Sequence, residues 1–301
     1  MFQLSEGEVA AKKATQAYRA KKWDVCIDET SNALQIATHS SNLRQQHADC
    51  ALAQGDIDQT VGDLTYVIRN HFSCHAKRSS RRRLTHLTAP STSLFLRISS
   101  LAYYLLPPSS QALSTLKQCL HYDPDSKPCA SSHRQLKKFD KTFSKLHDHL
   151  GASEWHAVIK LASQFSSTFD EALESALSAV ALGLHNELPE TVVPRKKSVR
   201  RREIYHAMCK AYIAIEIPRK AEPWCDEVLG MEGGDNDIDA LKGKGEACLV
   251  KEEWEDATRY LERAFEASGR SDGDVRRRSF ASALTKLRGR STPDCKRHSG
   301  C

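Results

Sequence analysis

The chemistry legible in this chain is thiol chemistry. Ten cysteines are spread over 301 residues, and none forms a Cys-x-x-Cys pair. Two spacings invite pairing: Cys209 with Cys225, 16 residues apart, and Cys119 with Cys129, ten apart around Asp123-Pro124-Asp125. Each pair could close a disulfide if folding brings the α-carbons within roughly 4.4–6.8 Å in an oxidising compartment. Each could equally be two small buried thiols. Cys26, Cys50, Cys74, Cys248, Cys295 and Cys301 read as core or tail thiols. His71, Cys74 and His75, and again Cys295, His298 and Cys301, lack the fourth ligand that structural zinc needs, so no metal site is expected. No Gly-rich phosphate loop, nucleophile elbow or paired-carboxylate motif appears. No catalytic residue, no cofactor and no enzyme activity are expected.

The elements that position these residues repeat. Ala14, Ala17, Trp23, Cys26 and Ala33 are answered 34 residues later by Ala48, Ala51, Ile57, Thr60 and Val67. The pattern returns as Gly245, Cys248, Trp254, Ala257, Leu261 and Ala264. A 34-residue period with small residues at facing positions marks the tetratricopeptide (TPR) helix hairpin. The expected fold is therefore all-α, a helix-turn-helix solenoid of about six repeats. One such hairpin cannot bury its apolar face alone, so it stacks on neighbours and leaves a face that holds polypeptides. In repeat register, Cys209 and Cys225 occupy positions of helix A and helix B that face each other across their hairpin.

Residues 5–68 form repeats one and two, with Gly55 in the left-handed turn that ends a helix. The third repeat is displaced by a surplus that falls around residues 69–88, a polar, basic stretch expected to be a disordered insertion. Residues 89–185 carry repeats three and four and a connecting helix, with Leu136, Phe139, Phe143, Leu146 and Leu150 spaced by three and four. Residues 186–200, with Pro189 and Pro194, read as a linker. Repeats five and six fill 201–272, and 273–301 reads as a capping helix and a disordered basic tail.

The chain is 40% apolar and 27% charged, a globular balance, with a net charge of +6. Basic runs at Lys77–Arg83, Arg195–Arg202 and Arg276–Arg278 read as solvated loops and helix ends. Without interleaved aromatic residues they argue against a nucleic-acid partner. No stretch reaches the roughly 18 apolar residues of a membrane span, so no membrane partner is expected. Met1–Glu8 lacks the basic and apolar segments of a secretory signal, which points to the cytoplasm for the chain as written.

Two segments go beyond the generic repeat: Cys119-Leu120-His121-Tyr122-Asp123-Pro124-Asp125-Ser126-Lys127 with Cys129 and Gln135-Leu136-Lys137-Lys138, and Trp224-Cys225-Asp226-Glu227-Val228-Leu229 with Cys209 upstream. Both resemble the endoplasmic-reticulum TPR co-chaperones that end in a J domain, whose animal members are also called inhibitors of the double-stranded-RNA-activated kinase. The resemblance covers roughly residues 5–272. It implies repeats that hold unfolded clients, a J domain that stimulates a lumenal Hsp70, a place in the unfolded-protein response, and both cysteine pairs bridged in the lumen. No His-Pro-Asp tripeptide occurs, so the resemblance reaches the repeats and not the J domain, and a truncated form of the family is expected.

The function expected first is therefore a non-enzymatic binder of unfolded or partner polypeptides, acting through the helix-A face of repeats one to three. That face should include Thr15, Tyr18, Gln45, Asp49, Leu52, Arg97, Leu101 and Tyr104. The alternatives are a cytosolic TPR adaptor and a regulator of a translation-initiation-factor kinase. Adaptors that clamp the C-terminal carboxylates of Hsp70 or Hsp90 need Lys and Asn at set helix-A positions. Ala11, Thr15, Gln46, Leu94 and Ile98 stand there instead.

Overall fold

The computed structural model describes residues 2–77, 91–182 and 194–268. The described residues form thirteen α-helices and no strand. In order they are α1 (Phe2–Arg19), α2 (Trp23–Ile36), α3 (Ser41–Gln54), α4 (Ile57–Lys77), α5 (Thr92–Tyr104), α6 (Gln111–Tyr122), α7 (Lys127–Gly151), α8 (Trp155–Leu182), α9 (Pro194–Lys197), α10 (Val199–Ala214), α11 (Pro218–Leu229), α12 (Ile238–Lys251) and α13 (Trp254–Ala267). The all-α TPR architecture read from the period is the one observed. Two compact units divide the chain: Met1–Lys141 with Phe169–Arg200, and Thr142–Thr168 with Arg201–Cys301.

In the first unit, α1 packs on α2, α2 on α3, α3 on α4 and α5 on α6. The repeated small residues lie where these helices meet. Ala14, Cys26, Ala33, Ala48, Ala51 and Thr60 are fully buried. A larger side chain at any of them would push the axes apart, because interiors are close-packed. Gly55 ends α3 with φ 97°, a left-handed conformation that costs a residue without Cβ nothing. Its N–H closes on the carbonyls of Ala51 and Leu52. The helix starts are set by side chains: Ser40 and Ser91 accept from the N–H groups of Leu43 and Leu94.

Two expectations on element boundaries change, those for residues 69–88 and 186–200. Helix α4 continues through residues 69–77, where the insertion was expected to begin, and 78–90 lie outside the described residues. Residues 155–182 form one unbroken helix. The stretch read as linker up to residue 200 contains α9 and the start of α10, while 183–193 and the expected cap and tail beyond 268 lie outside the described residues.

The basic run Arg195–Arg202 is the main correction. Arg200 and Arg201 are 7% and 3% exposed, not solvated. Within the first unit the Arg200 guanidinium lies 4.1 Å from the centre of the Tyr103 ring and 3.2 Å from Asp140. Arg195 donates to Glu174, and Lys197 donates to the carbonyl of Gly55. Within the second unit Arg201 lies 4.1 Å from the Tyr205 ring centre and pairs with Glu227, and Arg202 donates to the carbonyl of Glu232. Stacking on aromatic faces and forked hydrogen bonding suit arginine to such buried positions. The charges of Arg200 and Arg201 are spent inside the protein, while Arg195 and Lys196 stay exposed.

In the second unit, α11 packs on α12 and α12 on α13. A Cβ on Gly243 would come within 2.5 Å of Ile213 and 2.6 Å of the sulfur of Cys225, and one on Gly245 within 2.7 Å of Leu261. The absence of two side chains is what lets α12 sit this close to its neighbours.

Candidate functional site

The residues expected on a common face lie in the first unit on α1, α3 and α5. Thr15 and Gln45 are exposed, and Tyr18, Asp49 and Arg97 are half-buried. Tyr18 packs edge-to-face on Trp23 at 5.8 Å. Burial pushes its hydroxyl pKa up, and the nearby charge of Asp49 adds to that. Arg97 donates to Asp49 at 2.7 Å, joining α5 to α3. Burial raises the Asp49 pKa against the opposing pull of Arg97. The Arg97 Nε–H is buried without a hydrogen-bond partner, so the guanidinium is only partly satisfied by Asp49.

Beside this ion pair is a cleft of ≈ 340 Å³ between α3, α5 and the second half of α8. Leu94, Leu96, Ala176 and Val180 give it apolar walls, while Asp49 and Arg97 supply charge. Serines 91, 93 and 100 and Gln45 add hydrogen-bonding groups along the same cleft. Apolar and polar residues thus contribute equally to its lining, six of each.

Leu52, Leu101 and Tyr104 do not belong to an open face. They are 0%, 0% and 3% exposed. Tyr104 packs edge-to-face on Phe169 of α8 at 5.5 Å, and Phe139 of α7 packs on the same Phe169 ring at 5.6 Å. The second half of α8, with Leu173, Leu177 and Val180 buried, therefore covers part of α5. Leu52 is the last of three consecutive buried residues, Cys50, Ala51 and Leu52, on a helix enclosed over a wide arc. Sequence reasoning missed the α8 residues of the cleft. Their only sign was an Ala- and Leu-rich helical stretch continuing past the end of an ordinary helix B.

A polar cluster ties α2, α3 and α4 together. Ser31 Oγ lies 3.1 Å from His47 Nε2, His47 Nδ1 lies 2.5 Å from Asp63, and Arg44 donates to Asp63 at 3.0 Å. Hydroxyl, imidazole and carboxylate stand in the order of an acyl-transfer triad. Ser31, however, lies within the continuous helix α2, whose backbone N–H groups are committed to helical bonds rather than to an oxyanion. Arg44 also stacks 4.2 Å from the Tyr66 ring centre, which makes the cluster a cross-brace.

The cysteines are brought together in three pairs. The α-carbons of Cys119 and Cys129 lie 6.4 Å apart, those of Cys209 and Cys225 5.1 Å, and the sulfurs of each pair are at bonding distance. Cys26 and Cys50, read as core thiols, form a third such pair, with α-carbons 6.2 Å apart. Cys248 is a buried free thiol. The side chains of His71, Cys74, His75, Cys295, His298 and Cys301 lie outside the described ones.

No protein-family model matches the chain. It is 33% identical over 287 residues to the tetratricopeptide repeat and J domain-containing co-chaperone DNJ1 of Cryptococcus neoformans, a match covering 94% of this chain and 51% of that protein. It is 30% identical to the DNJ1 of Mycosarcoma maydis over 87% of this chain and 45% of the relative. To the human DnaJ homolog subfamily C member 3 it is 24% identical over 88% of this chain and 44% of the relative. The chain thus spans about half the length of the curated relatives it matches. The crystal structure of the P58(IPK) TPR domain superposes with a TM-score of 0.62 at 20% identity, over 97% of this chain and 67% of that one, which shows a shared fold. Over nearly all of its length, the chain is homologous to the TPR part of the J domain-containing co-chaperones.

Proposed function

We propose that this chain is a non-enzymatic, co-chaperone-type protein that binds unfolded or partner polypeptides, and that it does so in the lumen of the endoplasmic reticulum. The observation that carries the binding reading is the cleft between α3, α5 and α8, with apolar walls beside the Asp49–Arg97 pair. An extended segment can place one apolar side chain between Leu94, Leu96 and Val180 while its backbone meets Gln45 and the serines. Such binding is reversible burial of apolar surface, worth roughly 25 cal/mol per Å² before the cost of ordering the ligand. Sulfurs at bonding distance in three pairs support an oxidising compartment.

The test is titration of a fluorescent, unstructured peptide with one central Leu or Phe, followed by anisotropy. Ala179 is exposed and lines the cleft, so Ala179→Trp fills it without disturbing the core. Affinity should fall about tenfold or more, equivalent to about 1.4 kcal/mol, with the circular-dichroism melt unchanged. Equal affinity of wild type and Ala179→Trp would remove the cleft from the reading.

A further inference from the structure

Cys26 and Cys50 occupy a place unlike that of the Cys209–Cys225 pair. Cys26 lies on α2 and Cys50 on α3, so the pair spans consecutive hairpins, whereas Cys209 and Cys225 join the two helices of one hairpin. Both residues are fully buried, in a cluster with Ala17 against which Tyr18, Trp23 and Ile27 pack. Their α-carbon separation of 6.2 Å falls within the range a bridge spans. On either side of this cluster stand two residues of the candidate face. Tyr18 follows Ala17 on α1, and Asp49, which anchors Arg97 at the cleft, precedes Cys50 on α3.

We propose that Cys26 and Cys50 are oxidised to one another in the mature protein, and that this crosslink is a redox-set joint that fixes the α3 wall of the cleft at Asp49, the residue next to Cys50. In its formation the two thiols lose two protons and two electrons as the sulfur–sulfur bond forms. The electrons reduce the disulfide of a thiol–disulfide oxidoreductase to its dithiol, through a mixed disulfide. Because neither sulfur is accessible once α2 and α3 have packed, the exchange takes place while this joint is still open. Oxidation therefore accompanies folding of the first two hairpins. Reduction of the bond likewise requires the joint to open. The link to the cleft rests on the binding reading above, but the crosslink itself does not.

The full chain, made in an oxidising compartment, is treated with N-ethylmaleimide without reductant and mapped by peptide mass spectrometry, and hydrogen exchange is followed over residues 23–36 and 41–54. The expected result is a linked Cys26–Cys50 peptide free of maleimide. After reduction, exchange in both segments should quicken on the order of a hundredfold, the scale of the chain entropy released when a loop of about 25 residues is opened. The double variant Cys26→Ser, Cys50→Ser should exchange fast from the start and ignore reductant in these segments, and it should bind the fluorescent peptide several-fold more weakly. Maleimide on either cysteine before reduction, or exchange unchanged by reduction, overturns the proposal. If Ala179→Trp leaves peptide affinity intact while the linked peptide is found, the cleft reading fails and the crosslink stands. If Ala179→Trp weakens binding but the double variant does not, the crosslink has no hold on the cleft.

Discussion

His206 of α10 lies 3.5 Å from Asp237 and 3.4 Å from Asp239 at the start of α12, so one imidazole joins two consecutive repeats. Asp237 is also the N-cap of α12, accepting from the Ala240 N–H. The hydrogen bond to Asp237, then that to Asp239, raises the His206 pKa from 6.5 to about 9, against the opposing effect of burial. The same coupling, led by the His206 hydrogen bond, holds Asp239 down at about 2, and it must be counted once. A group whose folded pKa is raised contributes fully below its unfolded pKa and loses that contribution as pH rises through the folded value. The His206 contribution should therefore be complete below about pH 6.5, decline steadily above it, and be gone above about pH 9. On the acid side it should begin to fade below about pH 4, where the carboxylates of the unfolded chain take up protons, and be lost as the pH falls through about 2, the folded value of Asp239. At 1.36 kcal/mol per pKa unit the ceiling is about 3 kcal/mol, and with the side chain 30% exposed we expect about 1–2 kcal/mol after solvent screening.

The assay is urea unfolding of wild type and His206→Gln at pH 5.5 and pH 9.5, with the difference between the two proteins compared across pH. That comparison cancels every other titrating group. The variant should be less stable by about 1–2 kcal/mol at pH 5.5 and nearly equal to wild type at pH 9.5. Hydrogen exchange at the first turn of α12 should follow the same curve. A difference of the same size at both pH values would refute the reasoning, because it would assign His206 a packing role rather than an ionic one.

Two glycine substitutions should act in opposite directions. Gly243→Ala, which would meet Ile213 and Cys225 at 2.5 and 2.6 Å, should cost about 1–3 kcal/mol in chemical denaturation. Gly62→Ala on α4, where a Cβ meets nothing within 4 Å, should stabilise by up to about 1 kcal/mol. Tyr104→Ala should lower stability by about 3 kcal/mol through the lost packing on Phe169, whereas a binding residue would leave the melt unchanged and weaken only the peptide titration. Asp237→Ala should cost about 1 kcal/mol at any pH for the lost α12 cap, plus the His206 contribution at acidic pH, so its penalty should shrink as pH rises to 9.5.

What was legible in the sequence was whatever depends on one helix and its immediate partner. Ala14, Ala17, Ala48 and Ala51 report close approach of two axes, because only a small side chain tolerates it. Gly55 reports the end of α3 through its left-handed backbone. Tyr18, Asp49 and Arg97, which helical spacing put on the open faces of their helices, are half-buried. The spacing showed a helical stretch reaching beyond residue 164 but not that its second half folds back over α5, and so could not tell that Tyr104 and Leu101 would be covered. The arginines failed for the same reason. A run of charge reads as solvated until its aromatic partner is known, and Tyr103 stands almost a hundred residues before Arg200.

The cysteines mark this boundary most sharply. Cys209 and Cys225 could be read as candidates for pairing because both belong to one hairpin, although the bridge itself was implied by the resemblance rather than by the spacing. Cys26 and Cys50 sit at equally small, equally buried positions, but their separation depends on how one hairpin stacks on the next. Stacking is set by the joint packing of Ala17, Trp23, Ile27 and their neighbours, a sum of many small contacts with no motif of its own. The same holds for the cleft, since Asp49 meets Arg97 only because α3 and α5, 48 residues apart, come to lie side by side. In a protein built of repeats, the hairpins can be read from the period, while the features that distinguish one chain from another arise at the joints between them.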